Sequence, residues 1–84
     1  MASATNERVA GKLEEAATLF EQQGGNPFRA KAYRRAAEGV AALTEDLARI
    51  VERDGVDALE QIPGVGTGIA AAIRELLATG RWSQ

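Results

Sequence analysis

Eighty-four residues with a formal net charge of -2 make one small domain with room for no large catalytic apparatus. Cysteine and histidine are both absent, which excludes disulfide staples and thiolate metal sites and removes the commonest general base and metal ligand, and most enzyme classes with them. No apolar run is long enough to cross a bilayer and no charged-then-hydrophobic leader opens the chain, so a membrane is not an expected partner. The expected compartment is the cytoplasm, or the nucleoid if the chain binds DNA.

Met1 to Thr5 is small and polar and is expected to be disordered, leaving 6–84 as a single helical domain. From Asn6, read as an N-cap, Val9, Leu13, Ala16, Ala17 and Phe20 recur at helical spacing until Gly24-Gly25 stops the helix. Glu7, Glu14, Glu15 and Glu21 alternate with Arg8 and Lys12 on a solvated face. Asn26-Pro27 restarts the chain as N-cap and first helical residue, a position where proline's missing N–H costs nothing. At 100° per residue, Tyr33, Ala36, Ala37 and Val40 form the buried stripe of this second helix, with Arg29 one turn below Tyr33. Lys31, Arg34 and Arg35 fall on the other face, and Phe28 is expected to pack under the preceding loop. Between Arg29 and Arg35 there are four cations and no acid, so positive charge is concentrated here in an otherwise acidic chain.

Thr44 reads as the N-cap of a third helix, with Glu45 and Asp46 in its first turn and Leu47, Ile50 and Val51 facing inward; Gly55 ends it. A short helix over Val56–Gln61 leads into Ile62-Pro63-Gly64-Val65-Gly66, and a last helix runs from about Gly68 to Thr79, with Gly80 as its cap and Trp82 folded back on the bundle. Two glycines around one apolar residue, straight after a proline, make a turn that can take positive φ and come close to another molecule. Thr67 stands where an N-cap belongs. The free N–H groups and positive dipole end of the following helix then suit a phosphate oxygen, with no charged side chain required. No segment has strand period. The fold class is all-α, a four- to five-helix bundle containing one helix, hairpin, helix unit over about 56–79.

The run IPGVGTGIAAAI closely resembles the helix-hairpin-helix DNA-binding motif. Together with GGNPFRAKAYRRAAEGV and LEQIPGVGTGIAAAIRELLATGR, the chain resembles the N-terminal helical domain of family X DNA polymerases, the bacterial type especially, from about Asn6 to Arg81. That resemblance implies a domain that holds gapped DNA near the 5′-phosphate side of the gap in DNA repair. Gly64, Val65, Gly66 and Thr67 match the family's phosphate-binding turn, Arg29 a basic residue at the 5′-phosphate pocket and Tyr33 the tyrosine beside it. It also implies a monovalent cation, Na⁺ or K⁺, on the main-chain carbonyls of Glu60, Ile62 and Val65. Lyase-active members carry a Schiff-base lysine where this chain has Ala72, and a second pocket lysine where it has Gly68. The nucleotidyltransferase carboxylates are absent from these residues too, so the expectation is a module that is not an enzyme.

The expected DNA contacts are therefore Gly64, Val65, Gly66, Thr67 and Gly68 on the hairpin, with Arg29, Lys31, Tyr33, Arg34 and Arg35 on the second helix. The expected partner is DNA, single-stranded, gapped or duplex, held by its phosphates without base readout. An alternative from another class is a protein-interaction module, docking a separate repair or polymerase protein through the small-residue patch Gly68, Ala71 and Ala72, or forming homodimers. A third reading is a residual lyase using Lys31.

Overall fold

The computed structural model describes residues 3–79. Within them the chain forms α1 (Ala4–Gln22), α2 (Pro27–Ala41), α3 (Leu47–Asp54), a 3₁₀ helix (Val56–Gln61) and α4 (Thr67–Thr79), with no strand among the described residues. The all-α bundle expected from the periodicity is what forms. The Gly80 cap and the position of Trp82 lie outside the described residues.

Helix α1 starts earlier than Asn6. Ser3 is its N-cap, its hydroxyl accepting from the Asn6 N–H at 3.0 Å, so Ser3, Ala4 and Thr5 open the first helix where the sequence suggests a disordered segment. Asn6 is instead fully buried. Its Nδ2 donates to the Glu45 carbonyl and its Oδ1 accepts from the Leu47 N–H, both at 2.8 Å. One amide side chain thus satisfies a donor and an acceptor at the start of α3, groups that would be costly to leave bare in the interior.

The cap of α3 is Asp46 rather than Thr44: its carboxylate accepts from the Ala48 N–H at 2.8 Å. This phase places Leu47 at the first helical position, where it is completely buried, and burial of that side chain decides between the neighbouring polar candidates. Asn26 caps α2 as expected, accepting from the Phe28 N–H at 2.9 Å with Pro27 at the first helical position.

One continuous core holds Val9 and Leu13 of α1, Ala36, Ala37 and Val40 of α2, Leu47 of α3, Leu59 of the 3₁₀ helix, Ile62 and Val65 of the hairpin, and Ile69, Ala70 and Ile73 of α4. Burying each large aliphatic here stabilises the fold by roughly 1.5–3 kcal/mol. Helices α1 and α2 pack through small residues, Ala17, Ala30, Ala36 and Ala37 all being buried. The hairpin is thereby carried on α2 and α4 as part of the core rather than as an appended loop.

Candidate nucleic-acid interface

The hairpin is built by local turn chemistry. Ile62 sits at φ -72 and ψ 129, Gly64 at φ +88, and the Val65 N–H donates to the Ile62 carbonyl at 3.0 Å. Pro63 at the second position and a positive-φ glycine at the third define a type II turn. Gly64 is required twice over: by its φ, and because a methyl group there would lie 2.9 Å from the Arg35 carbonyl oxygen and 3.0 Å from the Arg35 Cγ.

Gly66 is different. Its φ is not positive and nothing lies within 4 Å of where a Cβ would stand. It faces open space at the start of α4, its carbonyl accepting the first helical bond from the Ala70 N–H at 2.8 Å. Gly66 therefore takes the cap position and Thr67 is the first helical residue, with its hydroxyl turned to Glu60 Oε1 at 3.5 Å. Among the described residues no protein acceptor is recorded for the N–H groups of Gly64, Gly66, Thr67 and Gly68, and all four residues are exposed. Val65 is the exception in this segment, with its side chain in the core and its N–H spent on the turn.

The carbonyls expected to hold a cation have a physical reason to be available. Pro63 has no N–H to give the Glu60 carbonyl, no described N–H donates to the Val65 carbonyl, and the Ile62 carbonyl keeps a lone pair beyond its bond to Val65. Among the described residues no group of three carboxylates is placed to hold a metal.

The cations of α2 do not act as one patch. Arg35 is exposed and lies against Gly64, and Lys31, one turn before it, is exposed on the same side. Arg34 turns the other way, to α1, where it pairs with Glu21 at 2.6 Å and Glu14 at 3.4 Å. Hydrogen bonding to Glu21, and then its charge, raise the Arg34 pKa further above its ordinary value. Arg29 lies over the Phe20 ring at 4.7 Å, and Tyr33 meets the same ring edge-on with centroids 5.2 Å apart. Arg29 and Tyr33 thus form one cluster with Phe20 on the α1 side, apart from the hairpin contact made by Arg35.

The small-residue patch divides between two sides of α4. Ala71 lines a shallow depression with Asp57, Glu60, Thr67 and Arg74, whereas Ala72 lines a more apolar groove of about 350 Å³ with Leu13, Ala16, Tyr33 and Leu76. The lysine on that groove is Lys12, paired with Glu15 at 3.5 Å; Lys31 is not among its lining residues. The hairpin is therefore flanked by Asp57, Glu60 and Arg74 on one side and by Arg35 on the other.

Two features escape a reading of the sequence. Phe28, expected under the loop, is 77% exposed. Gly39, inside α2, is where the hairpin rests on that helix: a methyl group there would fall well inside contact distance of the Pro63 carbonyl oxygen. The one signal in the sequence is a glycine at a helix interior position, where alanine would be favoured by about 1 kcal/mol.

The arrangement is a helix-hairpin-helix, and the chain belongs to the helix-hairpin-helix domain family, whose model matches residues 4–82. It is of the kind found in family X polymerases. The chain is 37% identical over 71 residues to the DNA polymerase/3′-5′ exonuclease PolX of Bacillus subtilis (strain 168), an alignment that spans 84% of this chain and 11% of that relative. No solved structure matches.

Proposed function

We propose that the chain is a non-catalytic DNA-binding module that grips phosphates of one strand through the hairpin and reads no base edges. The observation that carries this is the run of N–H groups with no protein acceptor at Gly66, Thr67 and Gly68, three exposed residues, with open space over Gly66. Such groups stabilise an anion at a helix start, and the family membership and the likeness to a DNA polymerase support the choice of a polynucleotide as that anion. Arg35 and Lys31 add attraction that salt screens. With ten cations against twelve acids and an overall charge of -2, affinity belongs at the non-specific level, roughly 10⁻⁴ to 10⁻⁶ M at physiological salt. A preference for gaps or 5′ ends is part of the proposal, and a monovalent cation on the Glu60, Ile62 and Val65 carbonyls would offset phosphate charge beside the turn.

Titration of a fluorescently labelled gapped duplex, an intact duplex and a single strand at low salt tests this. Binding that weakens with salt and with Gly66→Glu supports the hairpin; equal binding by Gly66→Glu removes it from the mechanism.

A protein-interaction role is the second reading, and the groove lined by Leu13, Ala16, Ala72 and Leu76 is what favours it. A repair or polymerase protein docked there would stay bound at an ionic strength that releases DNA.

A further inference from the structure

The two flanks of the hairpin carry opposite charge in matching series. On α2, Arg35 lies against Gly64, with Lys31 one turn and Phe28 two turns farther from the hairpin, and all three are exposed. On the other flank Glu60 meets the Thr67 hydroxyl at 3.5 Å, and Asp57 stands three residues back along the 3₁₀ helix, where positions i and i+3 eclipse. Both acids line the depression beside α4. The spacings agree, since four residues of α-helix and three of 3₁₀ helix each advance about 6 Å.

Each series ends on an exposed apolar side chain, Phe28 at 77% on the basic flank and Val56 at 41% on the acidic one. Arg74, two turns from the hairpin along α4, lines the depression together with Val56, so an aromatic ring entering beside Val56 meets a cation. Elsewhere the chain pairs its charges internally, Arg34 with Glu14 and Glu21 and Arg53 with Glu45 and Asp54. Among the described residues Lys31, Arg35, Asp57 and Glu60 have no ion-pair partner.

We propose that these two flanks dock on each other between successive copies of the chain, head to tail along one DNA strand. Lys31 and Arg35 of one copy face Asp57 and Glu60 of the next, and Phe28 covers Val56 beside Arg74. The proposal rests on the phosphate-binding reading of the hairpin and deepens it by naming the partner bound beside that site, a second copy of this chain. Because both series begin at the hairpin, docking brings neighbouring hairpins together on one edge of the row, facing one strand. The contact is heterologous, so it extends into a row instead of closing a two-fold dimer. It also removes a penalty: an isolated copy presents Asp57 and Glu60 to the phosphates on one flank, and the neighbour's Lys31 and Arg35 neutralise them. Exposed ion pairs are individually weak, and the contact is far smaller than the roughly 1,200 Å² that a stable complex buries. The row therefore forms on DNA, where the strand supplies a high effective concentration, and the chain by itself stays monomeric.

The shorter extents of the molecule are 25 and 23 Å. At 3.4 Å of rise each, about seven nucleotides span that width, so a ~6-nucleotide strand takes one copy and a ~40-nucleotide strand takes several. On the short strand Lys31 and Arg35 remain free for phosphate. Anisotropy titrations of the two labelled oligothymidylates test the proposal. Wild-type protein is expected to bind each site of the long strand roughly 5- to 150-fold more tightly than the short strand, the usual range of coupling between sites, once overlapping sites are counted. Lys31→Glu and Asp57→Lys, both at exposed positions, are each expected to lose most of that ratio, whatever they do to affinity for the short strand. The protein carrying both substitutions is expected to regain it, because the pair re-forms with its signs exchanged. Equal affinity per site on the two strands, single variants that keep the ratio, or a double variant that stays at the level of the singles overturns the docking while phosphate binding by the hairpin stands. A wild-type protein that binds neither strand overturns both proposals.

Discussion

Gly39 of α2 receives the Pro63 carbonyl of the hairpin directly, at a separation that leaves no space for a side chain. Gly64 supplies a second point of contact on the same helix, fixed by its φ of +88 and its approach to the Arg35 carbonyl. Backbone rests on backbone at both points. The N–H groups of Gly66, Thr67 and Gly68, proposed above as the phosphate site, therefore follow a turn that is seated on α2 at two backbone contacts.

Gly39→Ala should therefore destabilise the protein even though it favours the helix. Alanine gains about 1 kcal/mol of propensity, but the added methyl must displace Pro63 backbone, and overpacking of this kind costs about 1–3 kcal/mol. The expected net effect is a lower midpoint, by several °C at about 4–8 °C per kcal/mol for a domain of this size. Gly11→Ala is the control: it lies within α1 with nothing inside 4 Å, and should raise the midpoint. Paired thermal melts by circular dichroism check both signs.

Asn6→Ala should be among the more damaging polar substitutions. It strips a partner from the Leu47 N–H and from the Glu45 carbonyl at once, and each buried group left bare costs about 1–3 kcal/mol. Urea unfolding should show a loss of about 2–4 kcal/mol with an unchanged slope. Ser3→Ala, which removes only a cap acceptor, should cost about 1 kcal/mol.

The turn of the hairpin is legible in the sequence because what sets its dihedral angles lies within a few residues: Pro63 presets one φ, Gly64 permits the other, and the apolar residues on either side enter the core. Asn6 and Gly39 are not legible in the same way. Their partners, Glu45 with Leu47 and Pro63, are distant in sequence, and an asparagine near a helix start reads as a cap until its neighbour in space is known. The same limit applies to the cations. Arg34 and Arg35 are adjacent in sequence and similar in chemistry, yet only the packing of α1 on α2 gives Arg34 to Glu21 and leaves Arg35 beside the hairpin.

Stability should fall in acid, and Asp46 contributes to the fall. Partial burial pushes its carboxyl up, but hydrogen bonds from Ser3, the Ala48 N–H, Thr5 and the Arg49 N–H outweigh burial and hold it below the ordinary value. A carboxyl whose pKa is lower folded than unfolded stabilises the fold above the unfolded pKa, near 3.9, and loses that contribution as pH falls through the folded one. Asp54, lowered chiefly by its hydrogen bonds from Arg53, acts with the same sign. Asp46→Asn keeps a cap acceptor and removes the titration, so its melting midpoint should drop less than that of wild type between about pH 5 and pH 2. Equal drops would show that Asp46 is not one of the groups responsible.

The two neighbouring arginines should separate in salt dependence. Each phosphate neutralised by a cation adds about 0.7–0.9 to the slope of log affinity against log salt. Arg35 lies against Gly64 and is exposed, so Arg35→Ala should reduce the slope by about that amount and weaken binding to all sequences alike. Arg34 is already paired with Glu21 and Glu14, and binding a phosphate would require it to give up both, so Arg34→Ala should change the slope less. Glu21→Gln sharpens the comparison: by loosening Arg34 it should leave the Arg35 contribution intact and make any phosphate contact by Arg34 easier. Fluorescence titrations of one labelled DNA at a series of salt concentrations give the slopes for wild type and the three variants, and a larger loss in Arg34→Ala than in Arg35→Ala would place the phosphate path over α1 instead of along the face that carries Lys31.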